Sequence, residues 1–168
     1  ADGSDMMGSL RNPAAFNNVI GFRPTKGRVP GADENSKLFF DQLATDGPMG
    51  RDDTDTIKLL TTMAGFDARE PLSLQETLPR AESFVPTTLE DGVRIGWMGD
   101  YGGYLATEPG LLDICRGARQ GVETKGAVVE DCAPDFELER LWDTWLTLRH
   151  FAFIDSQPLL KDPTLKSQ

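Results

Sequence analysis

Residues 94–148 alternate between strand-like and helix-like patterns, and this order constrains the fold more than any other feature of the sequence. Arg94–Trp97 and Ala127–Val129 are strand candidates. Between them, Thr107–Pro109 predicts a helix start, with threonine as the cap and proline at the first position, and Pro134–Asp135 opens a second helix. Each helix has one apolar stripe, namely Leu111, Cys115, Ala118 and Val122 in the first and Leu138, Leu141, Trp145 and Leu148 in the second. Strand, helix, strand, helix is the βαβ order of a buried, largely parallel sheet, which predicts an α/β fold.

The first half of the chain is predicted to hold shorter elements. Val19–Phe22 is a short apolar run that predicts a strand. Asp52–Ala64 predicts a helix, which either Asp52 or Asp53 can cap at its N-terminus. The proline-bearing stretch from 68 to 91 lacks a sustained period, so it is expected to be a long surface crossing with one short helix.

A serine beside a glycine precedes another predicted helix. Ser9 follows Gly8, and Pro13 with Ala14 suits the first turn of a helix. A hydroxyl at such a position lies beside backbone N–H groups that lack partners within the helix, which is a workable site for an oxyanion. An isolated Gly-Ser pair is nevertheless structural far more often than catalytic.

A longer comparison favours the catalytic interpretation. Gly3–Phe16 follows the pattern G-[ST]-D-x-G-G-S-[ILV]-R-x-P-A, Gly21–Val29 follows G-x-[KR]-P-[ST]-x-G-R-[VL], and Asp46–Arg51 gives a third match. In these motifs the chain resembles the amidase signature family. The resemblance implies an α/β fold that is part of the family's α/β/α sandwich, whose central sheet is mixed and largely parallel. Because family domains are much longer, residues 1–168 are expected to be a partial domain that begins at the nucleophile-serine motif, with N-terminal and C-terminal parts absent.

The resemblance also implies a reaction. Members of the family hydrolyse carboxamides through an acyl-enzyme with a Ser-Ser-Lys triad, and they need no cofactor or metal. Carried over by motif position, Ser9 is the nucleophile, and the backbone N–H groups of Met6, Met7, Gly8 and Ser9 form the oxyanion hole.

Three further motif residues, Ser4, Asp5 and Arg11, are expected to organise this loop, with Asp5 and Arg11 forming an ion pair. The family's lysine and bridging serine lie upstream of the residue that corresponds to Ala1. Lys26 stands at a variable motif position and is not expected to replace that lysine.

Met7 departs from the family pattern, which has a glycine at this position. A glycine there indicates either a positive φ or a close approach to the substrate oxygen. Methionine at positive φ would cost about 1–2 kcal/mol. A displaced oxyanion donor would cost about 2.7–4 kcal/mol of transition-state stabilisation, so Met7 is expected to lower kcat. The alternative is that Met7 keeps a negative φ and packs at the pocket rim.

Other residues offer weaker candidates for function. His150 is the only histidine, and a Ser-His-Asp triad would need it with Asp143 or Asp155, but its place late in an amphipathic helix favours a structural role. A metal site is not expected, because one histidine and no clustered ligands make a poor one. Substrate contacts are considered for four aromatic side chains, although ordinary packing explains them equally well or better: Phe39, Phe40, Tyr101 and Tyr104.

Charge and cysteine usage restrict the partners. Seventeen basic and 27 acidic residues give a formal charge of −10, which disfavours nucleic acid and anionic membranes. Cys115 and Cys132 lack the spacing of a disulfide framework or a metal site, so they are predicted to be two buried free thiols in a cytoplasmic protein.

Two hypotheses about function remain at this point. The first is an amide hydrolase acting on a small-molecule amide, either a homo-oligomer or the ammonia-releasing component of an amidotransferase, which passes ammonia to partner subunits. The second is a catalytically inactive remnant of the amidase fold that acts as a binding or structural module.

Overall fold

A computed structural model of the chain describes residues 1–31, 42–84 and 92–156. It divides into two units, the first formed by Ala1–Val85 with Trp142–Gln168 and the second by Pro86–Leu141. Short 3₁₀ turns occupy Ala81–Ser83 and Ile154–Ser156. The strands and helices, in chain order, are β1 (Asp2–Asp5), α1 (Arg11–Asn17), β2 (Ile20–Gly21), β3 (Thr45–Gly50), α2 (Asp53–Met63), β4 (Arg94–Trp97), α3 (Leu111–Glu123), β5 (Val128–Asp131) and α4 (Leu138–Ala152).

The first unit contains a three-stranded sheet with β3 in its centre. Strand β1 runs antiparallel to β3, with Asp5 opposite Thr45, and β2 runs antiparallel to the other edge, with Gly21 opposite Met49. The strand predicted over residues 19–22 is therefore present but short. This sheet is antiparallel throughout, so the predicted largely parallel sheet does not describe it.

Helix α1 packs closely on β2, and its contact residues form the small core of the first unit. Leu10 is fully buried and Ala14 is 3% exposed. Gly21 faces this contact: a Cβ atom there would lie 2.7 Å from the Ala14 Cβ and closer still to the Leu10 carbonyl oxygen. Any larger residue at this position would therefore push helix and strand apart.

Helix α2 begins as the sequence predicts. Asp52 is its N-cap, and the Asp52 carboxylate accepts a hydrogen bond of 2.8 Å from the Asp55 N–H. Asp55 adds a second acidic side chain in the first turn, where negative charge is favoured by the helix dipole.

The second unit has the predicted βαβ order. Strands β4 and β5 are parallel, with Arg94 opposite Val128, and α3 connects them. The start predicted for α3 at Thr107–Pro109 is wrong by a few residues, because Gly110 has φ 88° and stands as the N-cap before Leu111. Helix α4 likewise begins at Leu138, since 134–137 forms a bend instead of the predicted first turn.

The predicted apolar faces of α3 and α4 are not enclosed. No residue of either helix is buried, and Leu111, Leu141 and Leu148 are each more than two-fifths exposed.

Both cysteines are free, but Cys115 is half-buried and Cys132 is exposed, so the prediction of two buried thiols is wrong. In the described part of the chain, no helix is long and apolar enough to cross a membrane.

Candidate active-site loop

The loop Met6–Leu10 connects β1 to α1 and carries the predicted nucleophile. Gly8 has φ 96°, a conformation that side chains rarely adopt, and this lets the chain turn from strand to helix. The Gly8 carbonyl oxygen accepts a hydrogen bond of 2.7 Å from the Asn12 N–H, which joins the loop to the helix. Ser9 is exposed, two residues before the first residue of α1. The structure thus places the serine at the surface of a tightly turned loop.

The carboxylate of Asp5 lies behind this loop and is fully buried. Its Oδ1 accepts a hydrogen bond of 2.8 Å from the Gly8 N–H, and its Oδ2 accepts one of 3.3 Å from the Leu10 N–H. A buried carboxylate is stable as an anion only when donors surround it. The loop therefore folds around Asp5, which orients two of its peptide groups.

Two arginines complete the surroundings of Asp5. Arg11 donates from Nε to Oδ2 at 2.9 Å and from Nη2 to Oδ1 at 3.1 Å, so the predicted ion pair is present and bidentate. Arg23 donates from Nη1 to Oδ1 at 2.9 Å, and the same nitrogen also donates to the Asp5 carbonyl oxygen. The Arg11 hydrogen bonds outweigh burial and, with the Gly8 N–H and Arg23, hold the pKa of Asp5 well below its usual range.

Arg23 is a residue of the site that the sequence interpretation missed. It stands at the basic position of the motif Gly21–Val29, so its sequence signal was visible. Its partner, however, is 18 residues away in the chain, and only the folded structure shows that they meet.

The backbone donors of the loop are not equivalent. Within the described residues, the N–H groups of Met6, Met7 and Ser9 have no hydrogen-bond partner, whereas the Gly8 N–H is taken by Asp5. Three of the four predicted oxyanion donors thus make no hydrogen bond within the described part of the chain. The exposed Ser9 hydroxyl and these N–H groups lie on the same short loop. The loop therefore carries the two kinds of group that acyl transfer requires, a nucleophile and donors for an oxyanion.

Met7 does not have the backbone conformation that its glycine-like position suggested. The described non-glycine residues with positive φ are Asn18 and Tyr101, and Met7 is not one of them. Its side chain is 47% exposed. The expected backbone strain is therefore absent, which agrees with the alternative that Met7 keeps a negative φ.

Two other motif residues, Ser4 and Lys26, form no hydrogen bond with Ser9 in the described part of the chain. Ser4 is exposed on β1, opposite Asp46. Lys26 donates from Nζ to the Ala44 carbonyl oxygen at 3.0 Å, away from the serine loop's hydrogen bonds. This contact gives Lys26 a structural role.

The remaining candidates lie elsewhere. His150 is exposed in the last turn of α4, and no hydrogen bond or ion pair joins it to Asp143 in the described chain; the side chain of Asp155 is outside that description. Phe39 and Phe40 also lie outside the described residues. Over the described ranges, no group of three or more histidine, cysteine or acidic side chains is placed to hold a metal ion.

The loop after β4 borders a cavity of about 450 Å³ in the second unit. It lies at the carboxyl ends of β4 and β5, and its lining includes Trp97, Asp100, Arg116 and Cys132. The two tyrosines considered as substrate contacts are not part of this lining: Tyr101 has φ 57° and Tyr104 is 47% exposed.

Comparison with known protein families agrees with the motifs. The sequence profile of the Amidase family matches residues 1–156. The chain therefore belongs to the Amidase family. Its similarity to solved structures supports the same assignment: the structure of a bacterial aryl acylamidase of the amidase signature family matches with a TM-score of 0.81 at 27% identity, over 96% of this chain and 33% of that one.

Curated relatives and a second structure are also similar. The A subunit of glutamyl-tRNA(Gln) amidotransferase from Pseudomonas putida is 35% identical over 129 residues, which is 77% of this chain and 26% of that protein. The peptide amidase of Stenotrophomonas maltophilia matches with a TM-score of 0.55 at 26% identity, over 79% of this chain and 27% of that one. The chain thus spans about a quarter of the length of the curated relatives it matches.

Proposed function

We propose that the protein containing this chain hydrolyses the C–N bond of carboxamides through an acyl-enzyme on Ser9. The observation that carries this proposal is the loop itself, in which an exposed serine follows Met6 and Met7, whose N–H groups have no hydrogen-bond partner among the described residues. Membership of the Amidase family agrees with such a reaction.

The steps follow from the loop's donors. The Ser9 hydroxyl gives its proton to a base as its Oγ bonds to the amide carbon, and the carbonyl oxygen becomes an oxyanion that the N–H groups of Met6, Met7 and Ser9 stabilise. The C–N bond then breaks and the amine leaves with the proton that the base returns. Water hydrolyses the ester, which releases the acid and restores the Ser9 hydroxyl. Each such donor typically contributes about 2.7–4 kcal/mol to transition-state stabilisation. The Gly8 N–H serves to orient the loop, because Asp5 accepts it.

The base is expected to come from the upstream lysine and bridging serine that the family resemblance implies. Lys26 is not proposed for this role, since its ammonium group binds the Ala44 carbonyl oxygen. The 168-residue chain by itself is therefore expected to show no turnover, because loss of serine activation removes several orders of magnitude in rate. Turnover by that chain, abolished by Ser9→Ala, would contradict this expectation.

A fluorophosphonate probe tests the nucleophile directly. The protein containing this chain is treated with the probe, and the adduct is located by mass spectrometry. We expect the label on Ser9 and none after Ser9→Ala, whereas Ser83→Ala should label as the wild type does, because the Ser83 hydroxyl binds the Arg80 carbonyl in a separate exposed turn. A label on another serine, with Ser9 unmodified, would rule out the assignment.

A second candidate is the ammonia-releasing component of an amidotransferase, which the 35% identity to the Pseudomonas putida protein favours. Such a component would release ammonia from an amide and deliver it to partner subunits. Hydrolysis of a simple aryl amide by the purified protein would favour a stand-alone amidase, and glutaminase activity that requires copurifying subunits would favour the amidotransferase. If neither occurs and the probe does not label Ser9, the protein is an inactive remnant of the fold.

We also propose that the chain is part of an α/β/α sandwich with a mixed, largely parallel central sheet. The parallel pairing of β4 with β5 and the TM-score of 0.81 to the aryl acylamidase support this.

A further inference from the structure

We infer that Arg23 is a positioning residue that sets the orientation of the oxyanion donors at the start of the serine loop. This role presupposes the proposed function of Ser9. The guanidinium of Arg23 contacts three acceptors: the Asp5 Oδ1, the Asp5 carbonyl oxygen and, from Nη2, the Leu43 carbonyl oxygen at 2.7 Å. It thereby connects the end of β1 to the segment that enters β3.

The contact with the Asp5 carbonyl is the important one for catalysis. A peptide group is planar, so the Asp5 carbonyl and the Met6 N–H point in opposite directions within one rigid unit. When Arg23 holds this carbonyl, it also fixes the direction of the Met6 N–H, which has no partner among the described residues and is a proposed oxyanion donor.

The same geometry applies to the other end of the loop. The Asn12 N–H donates to the Gly8 carbonyl oxygen at 2.7 Å, which fixes the plane of the Gly8–Ser9 peptide and hence the direction of the Ser9 N–H. Hydrogen bonds to carbonyl oxygens therefore hold the loop at both ends. At the end nearer β1 the donor is Arg23, which is 18 residues away from Asp5 in the chain.

Arg11 does not duplicate this role. Its hydrogen bonds go to the carboxylate of Asp5, and its side chain is 56% exposed, against 29% for Arg23. Arg11 neutralises the anion, whereas Arg23 both neutralises it and orients the main chain that follows it.

The test compares Arg23→Ala, Arg23→Lys and Arg69→Ala in the protein containing this chain. Arg69 is a matched control because it also forms a two-point ion pair with an aspartate, Asp67, but on the exposed surface and without a contact to the serine loop. Three quantities are measured: the second-order rate of Ser9 labelling by a fluorophosphonate, the melting temperature, and hydrogen exchange in the peptide that spans Met6–Leu10.

We expect Arg23→Ala to lower the labelling rate at least tenfold and to speed exchange in the loop peptide. A lysine has one cationic nitrogen and cannot reach all three acceptors, so Arg23→Lys should recover part of the rate. Arg69→Ala should behave as the wild type in all three measurements.

A purely structural role gives a different result. In that case the melting temperature falls while the labelling rate of the folded protein stays within twofold of the wild type, and this outcome would overturn the inference. If Arg23→Ala does not fold, the inference is tested with Arg23→Lys instead. A wild-type labelling rate together with wild-type hydrogen exchange in the loop of that variant would overturn the inference. If wild-type Ser9 is never labelled, the proposed function fails, and unchanged loop exchange in Arg23→Ala then shows separately that Arg23 does not hold the loop.

Discussion

Asp5 illustrates how one buried charge organises a loop. Four groups donate to its carboxylate: two backbone N–H groups and two guanidinium groups, from Arg11 and Arg23. Such a site stabilises the folded chain only in its ionised form, because a protonated carboxyl would lose both ion pairs. The stability of the loop should therefore depend on pH in a defined direction.

We predict that Asp5→Asn lowers the melting temperature at pH 7 and that this difference shrinks in acid. Hydrogen bonds to charged groups contribute about 1.5–3 kcal/mol, so the loss at neutral pH is expected in that range. The folded-state pKa of Asp5 lies below its ordinary value of 3.8, so the contribution is complete above about pH 4 and is lost as the pH falls further. Thermal unfolding of both proteins between pH 7 and pH 2 measures this, and a gap that stays constant down to pH 2 would contradict it.

Met7 gives a second test at the residue scale. Because Met7 has no positive φ and its side chain is half exposed, the reason to expect strain has disappeared. We therefore predict that Met7→Gly changes the Ser9 labelling rate by less than about threefold, which corresponds to roughly 0.6 kcal/mol. Met6→Gly, at the neighbouring loop position, serves as a comparison for added chain flexibility. A tenfold gain confined to Met7→Gly would show that the methionine obstructs the oxyanion site.

At the scale of elements, the contact between α1 and β2 determines where the serine loop ends. The fully buried Leu10 and the nearby Ala14 leave no space beside Gly21. Helix α1 has only seven residues, too few to be stable alone in water, so its position depends on this packing.

Gly21→Ala is predicted to destabilise the protein by about 1–3 kcal/mol, the usual range for overpacking. The added Cβ would clash with the Leu10 carbonyl oxygen and the Ala14 Cβ, neither of which is able to rotate away. Gly65→Ala is the matched control, because nothing lies within 4 Å of its Cβ position. The melting temperatures of the two variants decide the matter: equal values would show that α1 shifts freely.

The elements that the sequence predicted well are those with local signals. Asp52 caps α2 through a neighbour three residues away, and β4 spans the predicted Arg94–Trp97. The start of α3 was misplaced because Gly110, with its positive φ, overrides the cap signal of Thr107 and Pro109. Of the two arginines that bind the Asp5 carboxylate, the sequence predicted only Arg11, which lies in the same motif. Arg23 is 18 residues away and reaches Asp5 only through tertiary folding.

At the scale of the whole molecule, many large apolar side chains are uncovered. Phe16 on α1 is 92% exposed and Ile114 on α3 is 75% exposed. Exposed apolar area of this extent normally packs against other protein surface. The periodicity of the sequence correctly placed apolar residues along α3 and α4. It could not show which surface, if any, these residues pack against.

We predict that the isolated 168-residue chain self-associates at micromolar concentration. Its uncovered apolar side chains and the short edge strands β1 and β2 offer surfaces for association. Sedimentation velocity over a range of concentrations measures the assembly, and Ile114→Lys should reduce it. Thr124→Lys on the surface after α3 serves as the charge-matched control. A monodisperse monomer at all concentrations would disprove the prediction.

The contacts of Arg23 and Lys26 with two consecutive carbonyl groups have a mechanical consequence. Arg23 holds the Leu43 carbonyl and Lys26 holds the Ala44 carbonyl, both just before β3 begins. The same Arg23 guanidinium binds Asp5 at the end of β1. A force that displaces the start of β3 is therefore transmitted through one side chain to the base of the Ser9 loop.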